Sequence, residues 1–335
     1  MNNFDVVTIG GAVRDVTFYT DKGKIFLTPE NLTAQKMVAF EYGAKIEIKE
    51  SFFTIGGGAA NTATSFCRLG FKTAILTRLG DDEIGKEIEK NFKQEGINTD
   101  LIQRDKKLPT GFSLIVAVSK GEREHIAFTD RGANKFLTLK KSDLEKISTK
   151  WFYLTSMSGK NWLTNLKTVF AVAKKNKIKI VWNPGTLQLN AGKKTLANFL
   201  KETDVLLLNK DEAIELVLSG IKLGRKNPSF LNKPLYLLNI LQEWGSKTVV
   251  VTNGKKGAWA YDGKHIYQQK IVRAKTLNTI GVGDAFGSGF VGGLIFEKNI
   301  NKALKWGMLN SGSVITKVGA QAGLLSRKKL LDKIN

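Results

Sequence analysis

The sequence predicts an α/β fold in which helices cover both faces of a doubly wound, mostly parallel sheet. Short apolar runs recur along the chain, and segments with helical periodicity lie between them. The runs occupy residues 6–9, 74–77, 151–154, 178–182, 205–208 and 248–251, and the helical segments occupy residues 86–94, 162–175 and 212–218. Near-continuous hydrophobic runs are typical of strands that are buried on both faces. Their alternation with helices indicates a doubly wound sheet, whose ligands bind beyond the carboxyl ends of the strands.

Two stretches interrupt this alternation and predict a small β-sheet lid. Residues 16–50 alternate apolar and polar side chains, most clearly at residues 44–49. Residues 110–130 have the pattern of a hairpin, with strands at 113–118 and 124–129 on either side of a Lys-Gly turn. Such strands have one apolar face that another surface must cover. The predicted division assigns residues 16–50 and 110–130 to the lid, and residues 1–15, 51–109 and 131–335 to the core.

The charge of the chain is strongly positive. It contains 52 basic and 30 acidic residues, which gives a formal net charge of +22. Such an excess attracts polyanions, including nucleic acids and anionic membranes. The lysines are scattered through nearly every segment, however, and no basic stripe is interleaved with aromatic residues, so we do not expect a nucleic-acid partner. Residues 221–234, which are basic and contain two prolines, are expected to form a surface loop.

Cysteine usage and hydropathy favour a cytoplasmic protein. The lone Cys67 lies in an apolar run, excludes an internal disulfide and fits a reducing compartment. No basic segment followed by an apolar segment opens the chain. The longest apolar stretch, residues 281–296, contains Asp284 and six glycines and is short for a bilayer span. We therefore expect no membrane partner.

A glycine-rich segment late in the chain has the composition of an anion site. Gly281, Val282 and Gly283 precede Asp284 where a helix is expected to begin. Backbone N–H groups in the first turn of a helix lack partners within the helix, so they can bind a phosphoryl group in transfer. Asp284 could accept the proton of an attacking hydroxyl there. The competing interpretation is that acids favour first turns through the helix dipole, and that the glycines only permit close packing.

An earlier glycine-rich segment predicts a second binding turn. Three consecutive glycines, residues 56–58, allow the backbone to approach a ligand closely. Asn61 follows them with an amide that can both donate to and accept from a hydroxyl. Alternatively, Asn61 is only the N-cap of the next helix.

These two segments, in this order and at this separation, resemble the two signatures of the ribokinase-like (PfkB) carbohydrate kinase family. The first signature continues from the glycine-rich turn through Gly70 to Gly80, and the similarity as a whole runs from Gly10 to about Gly323. The resemblance implies the ribokinase-like fold and an ATP-dependent phosphotransferase. Its acceptor would be a hydroxymethyl group of a sugar or sugar-like substrate, and its cofactors would be ATP and Mg²⁺.

The resemblance also implies roles for individual residues. Catalysis falls on Asp284 as general base, with the amides of Gly281, Val282 and Gly283 as the anion hole. The implied substrate-binding residues are Asp15, Gly57, Gly58 and Asn61. The implied ATP-binding residues are Asn183, Asn209, Thr252, Gly254, Gly257 and Asn310.

Two positions bear on metal ions. Asn209 and Glu212 match an Asn-x-x-Glu motif that organises Mg²⁺ and phosphates in the family, largely through water. The same pair has the pattern of a helix capping box, and the two roles are compatible. Asn278 stands where the family commonly has an Asp that helps to bind a monovalent cation. Because a neutral amide binds a cation more weakly, we expect weak or absent activation by K⁺.

Two other nucleotide-binding patterns are excluded. Residues 80–87 nearly form a Walker A loop, but Glu87 replaces the Ser or Thr that Mg²⁺ requires, and nearby acids would repel phosphates. A dinucleotide fingerprint needs a third glycine after Gly281 and Gly283, and Phe286 occupies its place.

The acceptor stays open at this point. A nucleoside kinase of the adenosine type is one alternative, because aromatic residues in the lid region could stack on a base. A sugar-phosphate kinase is another, because basic residues lie in or beside the lid. The aromatic residues are Phe18, Phe40 and Tyr42, and the basic residues are Lys45, Arg123 and Arg131.

A non-enzymatic alternative is a polyanion-binding regulator built on a kinase fold. The presence of Asp284, Asn209 and Glu212 argues against an inactive site. Edge strands in the lid can pair with a second copy, so a homodimer formed through the lid is expected.

Overall fold

The central sheet contains eight strands and confirms the predicted fold class. The computed structural model describes residues 3–28, 30–32, 36–118, 125–223 and 228–334. Its strands are β1 (Asn3–Ile9), β2 (Val13–Thr20), β3 (Lys24–Leu27), β4 (Lys36–Ala39), β5 (Glu50–Gly56), β6 (Thr73–Leu76), β7 (Arg78–Gly80), β8 (Gln103–Asp105), β9 (Thr110–Val118), β10 (His125–Gly132), β11 (Ser148–Leu154), β12 (Lys179–Trp182), β13 (Val205–Asn209), β14 (Thr248–Thr252), β15 (Ala258–Tyr261) and β16 (Ile266–Gln269).

Eleven α-helices lie within the described ranges. They are α1 (Gly58–Arg68), α2 (Glu83–Gln94), α3 (Lys141–Leu144), α4 (Trp162–Asn176), α5 (Thr186–Asn190), α6 (Gly192–Lys201), α7 (Lys210–Leu218), α8 (Pro234–Glu243), α9 (Val282–Glu297), α10 (Ile300–Val314) and α11 (Arg327–Asp332). None of them combines the length and the hydropathy that a bilayer span requires.

The strand order of the central sheet is β16-β15-β14-β13-β12-β11-β1-β6. Strands from β14 to β6 are parallel to their neighbours, whereas β15 and β16 add an antiparallel edge. All six apolar runs of the sequence lie in this sheet. Parallel neighbours need a crossover connection, which explains why helical segments separate the runs.

The inner strands of this sheet pack against two helical layers, because successive side chains point to opposite faces. In β11, Phe152 and Leu154 pack with the layer that contains α4 to α8. Trp151 and Tyr153 pack with the layer that contains α1, α9 and α10. The runs are therefore nearly continuous because both of their faces are buried.

A separate four-stranded sheet, with the order β10-β9-β2-β5, forms the lid, and β3 pairs with β4 alone. Strands β2 and β5 include residues 13–15 and 51–56, which the sequence interpretation assigned to the core. The prediction of a strand at residues 44–49 was wrong. These residues form no strand and are mostly exposed, and Lys49 N donates to Tyr19 O at 2.8 Å. Alternation produces a strand only where a neighbouring strand is available to pair with it.

Two further expectations concern connections. The turn proposed in the hairpin, together with Arg123 and Glu124, lies outside the described residues. The segment predicted as a loop at residues 221–234 contains a 3₁₀ turn at Pro228–Asn232, and α8 begins at Pro234. Proline suits the first position of a helix, because its fixed φ is helical and its missing N–H is not needed there.

Candidate active site

The first turn of α9 forms one wall of a cleft between the central sheet and the lid. Gly281 is the N-cap with a φ of +70°, a left-handed conformation that favours glycine. A Cβ atom at this position would lie 2.4 Å from the Cβ of Ala320. The helix starts at Val282, so the N–H groups of Val282, Gly283 and Asp284 have no acceptor within the helix. Gly283 is exposed. The turn therefore presents free amide donors beside a carboxylate.

One amide side chain holds the Asp284 carboxylate, and a second amide positions the first. Its Oδ2 accepts a hydrogen bond of 2.8 Å from Asn61 Nδ2. Asn61 Oδ1 in turn accepts one of 3.1 Å from Gln321 Nε2. Asn61 lies in the first turns of α1 and is 4% exposed, and the N-cap of this helix is Gly57, not Asn61. The sequence carried no motif that points to Gln321.

Asp15 faces the same cleft from β2 of the lid. Burial, with a smaller contribution from the charge of Asp284, raises the pKa of Asp15 to about 6, although the hydrogen bond with Ser113 and the charge of Arg131 act in the opposite direction. Asp284 therefore lies close enough to Asp15 for its charge to disfavour ionisation of the Asp15 carboxyl. A Cβ atom at Gly56 would lie 1.8 Å from Asp15 Oδ2, so the carboxylate occupies space that only glycine leaves.

Burial also raises the pKa of Asp284, and the hydrogen bond from Asn61 opposes that shift. Asp284 nevertheless keeps part of its surface exposed. A carboxylate with a raised pKa in a partly dry cleft is a stronger base than a solvated one. Gly57 and Gly58 are half-buried where α1 begins, on the Asp15 side of Asn61.

A second group of predicted residues lies at the carboxyl ends of three adjacent strands. Asn183 follows β12, Asn209 ends β13, and Thr252 ends β14 in register with Asn209. Asn183 Nδ2 donates to Leu207 O at 2.9 Å, which fixes the amide beside β13. Gly257 closes the turn after β14, because its carbonyl accepts a hydrogen bond from Asn253 N at 2.8 Å.

The turn after β14 leaves a backbone surface open to a ligand. Gly254, at the start of this turn, is exposed with a φ of +46°, and a Cβ atom there would meet nothing within 4 Å. The ends of these strands therefore form a polar edge that adjoins the cleft.

Asn209 and Glu212 form a complete capping box at the start of α7. Glu212 N donates to Asn209 Oδ1 at 2.9 Å, and Asn209 N donates to Glu212 Oε2 at 2.8 Å. Burial raises the pKa of Glu212 to about 7, and the charges of Glu215, Asp284 and Asp211 add to the shift. The charge of this carboxylate is thus poorly compensated by the protein, which suits a nearby cation. In the described residues, no group of three or more His, Cys, Asp or Glu side chains could hold a metal ion by itself.

Asn310 does not reach the cleft, so its expected contact with adenine was wrong. Its side chain is fully buried between α1, α9 and α10. Asn310 Nδ2 donates to Ser65 Oγ and to Ala285 O, and Asn310 Oδ1 accepts from Leu325 N. Every polar group of the amide is therefore used inside the protein. The residue stabilises helix packing behind the site.

Asn278 is buried and its amide bonds to a neighbouring loop. Nδ2 donates to Lys317 O at 2.8 Å and lies 3.4 Å from Gly319 O. Oδ1 accepts from Ile280 N. The carbonyl oxygens of Lys317 and Gly319 thus already accept hydrogen bonds from the amide of Asn278. The residues present do not fit a monovalent cation at this position.

Comparisons with known proteins agree with this fold. Residues 5–327 match the model of the pfkB family carbohydrate kinases, so the chain belongs to that family. Ribokinase from Haemophilus influenzae is 28% identical over 284 residues, which cover 83% of this chain and 86% of the relative. A 5-dehydro-2-deoxygluconokinase from Bacillus licheniformis is 24% identical over 327 residues, or 94% and 90% of the two chains.

A solved structure shows the same fold. Arabidopsis thaliana ribokinase, complexed with ribose and ATP, aligns with a TM-score of 0.77 and 21% identity, and the alignment covers 99% of this chain and 98% of that chain. The family resemblance drawn from the two glycine-rich segments is therefore confirmed. The chain is a phosphotransferase of the carbohydrate kinase type.

The raised pKa of Glu212 predicts a specific dependence of stability on pH. Its folded value is about 7, against an ordinary value of 4.5. Between these values the folded protein keeps a proton that the unfolded chain has released, so stability falls as pH rises from about 4.5 to 7. Glu212→Gln is expected to raise the free energy of unfolding at pH 8 by roughly 2 kcal/mol without Mg²⁺ or nucleotide.

Urea unfolding at several pH values measures this effect. The difference between Glu212→Gln and the wild type should shrink steadily as pH falls towards about 5, because the wild-type carboxyl is then protonated in the folded state. Glu243→Gln, at the exposed end of α8, is the matched control and should change stability little, because its charge does not act on Glu212. Equal stabilities of Glu212→Gln and the wild type at pH 8 would contradict the assigned environment of Glu212.

Proposed function

We propose that this protein transfers the γ-phosphoryl group of ATP to a hydroxymethyl group of a sugar or sugar-like acceptor. The observation that carries the proposal is the convergence of Asp284, Asn61 and Asp15 on one cleft, beside the free amides that open α9. Membership of the pfkB family supports it. The likeness to ribokinases supports a sugar as the acceptor.

In the proposed mechanism, Asp284 is the general base. Asp15 and Asn61 bind acceptor hydroxyls, and Asp284 accepts the proton of the hydroxyl that attacks. Its raised pKa favours this step, because the carboxylate gains more from protonation than a solvated one would. The amides of Gly281, Val282 and Gly283 would donate to the phosphoryl oxygens, whose charge must be stabilised during in-line transfer.

ATP is proposed to bind along the strand ends, at Asn183, Asn209, Thr252, Gly254 and Gly257. Mg²⁺, when bound with the nucleotide, neutralises phosphate charge, and Glu212 with Asn209 would hold it largely through water. The poorly compensated carboxylate of Glu212 supports this assignment. The lid would cover the acceptor and exclude water, which limits wasteful hydrolysis of ATP. One lid contact supports closure over the site, since His125 Nδ1 lies 3.1 Å from Thr279 Oγ1.

The aromatic residues of the lid region give a nucleoside acceptor less support than a sugar. Phe18 shares the face of β2 that points away from Asp15, because their positions in the strand differ by an odd number. Tyr42 is fully exposed. A sugar acid is a further candidate class, because one relative is named as a 5-dehydro-2-deoxygluconokinase. The regulator alternative is supported by the net charge of +22 alone, and that charge suits an anionic substrate equally well.

Replacing Asp284 by asparagine tests the proposed base. Asparagine keeps the size and can still bond Asn61, but it cannot accept the proton. Asp284→Asn is expected to lower kcat by about 10²-fold or more with little change in the KM for ATP. Glu83→Gln, in the first turn of α2, is the matched control and should keep full activity. A folded Asp284→Asn variant with near-normal turnover would remove Asp284 from the mechanism.

We further propose that catalysis does not depend on K⁺. The Asn278 amide already satisfies the carbonyl oxygens that face it. At constant ionic strength, replacing Na⁺ by K⁺ should change wild-type turnover by less than about twofold. Asn278→Asp would set a carboxylate against those carbonyls, and this repulsion favours a bound cation. The variant should therefore gain activity and thermal stability on addition of K⁺. Strong K⁺ activation of the wild type would refute the proposal.

We also infer a homodimer formed through the outer face of the lid. Phe53, Phe112 and Phe128 share this face, which is opposite to Asp15, and are 65%, 46% and 59% exposed. Exposed aromatic clusters of this kind mark protein interfaces. Light scattering should give about twice the mass of one chain, since closed two-fold dimers are the commonest oligomers. Phe53→Ser combined with Phe128→Ser should yield monomers. A monomeric wild type at micromolar concentration would exclude the dimer.

A further inference from the structure

Arg131 lies on the same face of the lid sheet as Asp15. In the pairing of β10 with β9, Asp130 is opposite Phe112 and Gly132 is opposite Thr110, so Arg131 is opposite Gly111. In the pairing of β2 with β9, Asp15 is opposite Ser113. Paired residues share a face, and so do residues two apart along a strand. Arg131 and Asp15 therefore both point towards the cleft, and Gly111 adds no side chain between them.

Arg131 and Asp15 also influence each other electrostatically. The charge of Asp15 favours the protonated form of Arg131, and Arg131 favours the ionised form of Asp15. Arg131 is partly buried, which costs free energy for a charged group. Even so, its guanidinium forms no ion pair within 4.0 Å and no side-chain hydrogen bond with any part of the chain that the structure describes.

The other partly buried arginines make such contacts. Arg14, one position before Asp15 on the opposite face of β2, pairs with Glu87. The remaining ones are Arg68 with Glu95, Arg78 with Asp105, Arg104 with Glu89, and Arg327, which donates to Leu69 O. Arg131 is thus the partly buried arginine of the described chain whose donors face a cleft without an acceptor.

A guanidinium offers several donors in a planar fork that matches a carboxylate or a phosphate. Asp15 supplies a nearby counter-charge for Arg131 but accepts no hydrogen bond from it, so the guanidinium donors stay open to a ligand. Neutral hydroxyl groups would occupy these donors without the strength of a charge-assisted pair. The chemistry that completes the site is therefore an oxyanion next to the hydroxyl groups of the acceptor.

We propose that the acceptor carries an oxyanion, either a carboxylate or a phosphate, which Arg131 binds while Asp15 and Asn61 bind its hydroxyl groups. This inference rests on the proposed function and narrows its substrate class. It makes Arg131 a specificity-determining residue of the acceptor site. Of the two other lid cations considered from the sequence, Lys45 is exposed and has no part in this arrangement, and Arg123 lies outside the described residues.

A matched series of acceptors tests the inference. ATP consumption is measured with fructose, with its phosphate ester fructose 1-phosphate, with the sugar acid 5-keto-gluconate, and with adenosine. We expect one of the two anionic compounds to have a kcat/KM about 10²-fold above that of fructose, because a charge-assisted bidentate pair is then formed. The phosphate and carboxylate compounds distinguish the two possible sources of the oxyanion.

Variants of Arg131 test whether this residue causes the preference for an anionic acceptor. Arg131→Gln should lower kcat/KM for the anionic acceptor by about 10²-fold, mainly through KM, and should lower that for fructose by a factor at least ten times smaller. Arg131→Lys should recover part of the loss, since it restores the charge without the fork. Arg14→Gln removes the same charge from the other face of the sheet and should change neither acceptor. Melting temperatures of all three variants show whether they fold.

The outcomes separate this inference from the proposed function. Turnover of fructose or adenosine at or above that of both anionic acceptors would overturn the inference and leave the phosphotransferase intact. A uniform loss for all acceptors in a folded Arg131→Gln variant would also overturn it. No turnover with any of the four compounds would overturn this inference, and no turnover with ribose in addition would remove the proposed function as well.

Discussion

The hydrogen bond between Asn61 and Asp284 is the contact on which the site depends. It joins the first turns of two helices across 223 residues of sequence. Asn61 is almost completely buried, so its amide has no alternative partners in water. Because a buried amide without a partner is costly, the bond fixes where the carboxylate lies. It also sets the direction in which the free amides of α9 point.

Asn310 supports the same arrangement from behind. Its amide bonds to Ser65 of α1 and to the carbonyl of Ala285 in α9, while its oxygen accepts from Leu325 N. Three segments are tied together at a point next to Asp284. Glycines in α9 allow this close packing, since a Cβ atom at Gly289 would lie 3.0 Å from the Cβ of Asn310. The position of Asp284 in the cleft thus depends on the packing of buried residues behind it, which do not themselves contact a ligand.

Three carboxyl groups in the region of the cleft have raised pKa values. Asp15, Glu212 and Asp284 each have a raised pKa, with burial as the largest cause. Asp284 also contributes to the shifts of the other two, so the three carboxylates occupy one connected region. Cations that enter with a ligand would relieve this repulsion. The surface has the opposite sign, with a net charge of +22 for the whole chain, and such a field attracts anionic ligands over a long range.

The sequence by itself determined the layered fold and the two glycine-rich turns. Runs such as residues 205–208 are apolar throughout because both faces of their strands are buried, and that signal is local. Local patterns also located Gly281 and the capping box of Asn209. They failed at residues 44–49, because no neighbouring strand pairs with this alternating segment. They also failed at Asn310, because its polar side chain is buried between helices and does not line the cleft.

Only the tertiary structure decided which distant side chains meet. Gln321 donates a hydrogen bond to Asn61, and the amide of Asn278 donates to the carbonyl groups that surround it. Arg131 faces the cleft without an ion pair or a side-chain hydrogen bond from the described chain. None of these follows from spacing along the chain, because each depends on how separate elements pack. A sequence pattern records what a residue needs from its immediate neighbours, whereas a hydrogen bond across the cleft depends on the position of both partners in space.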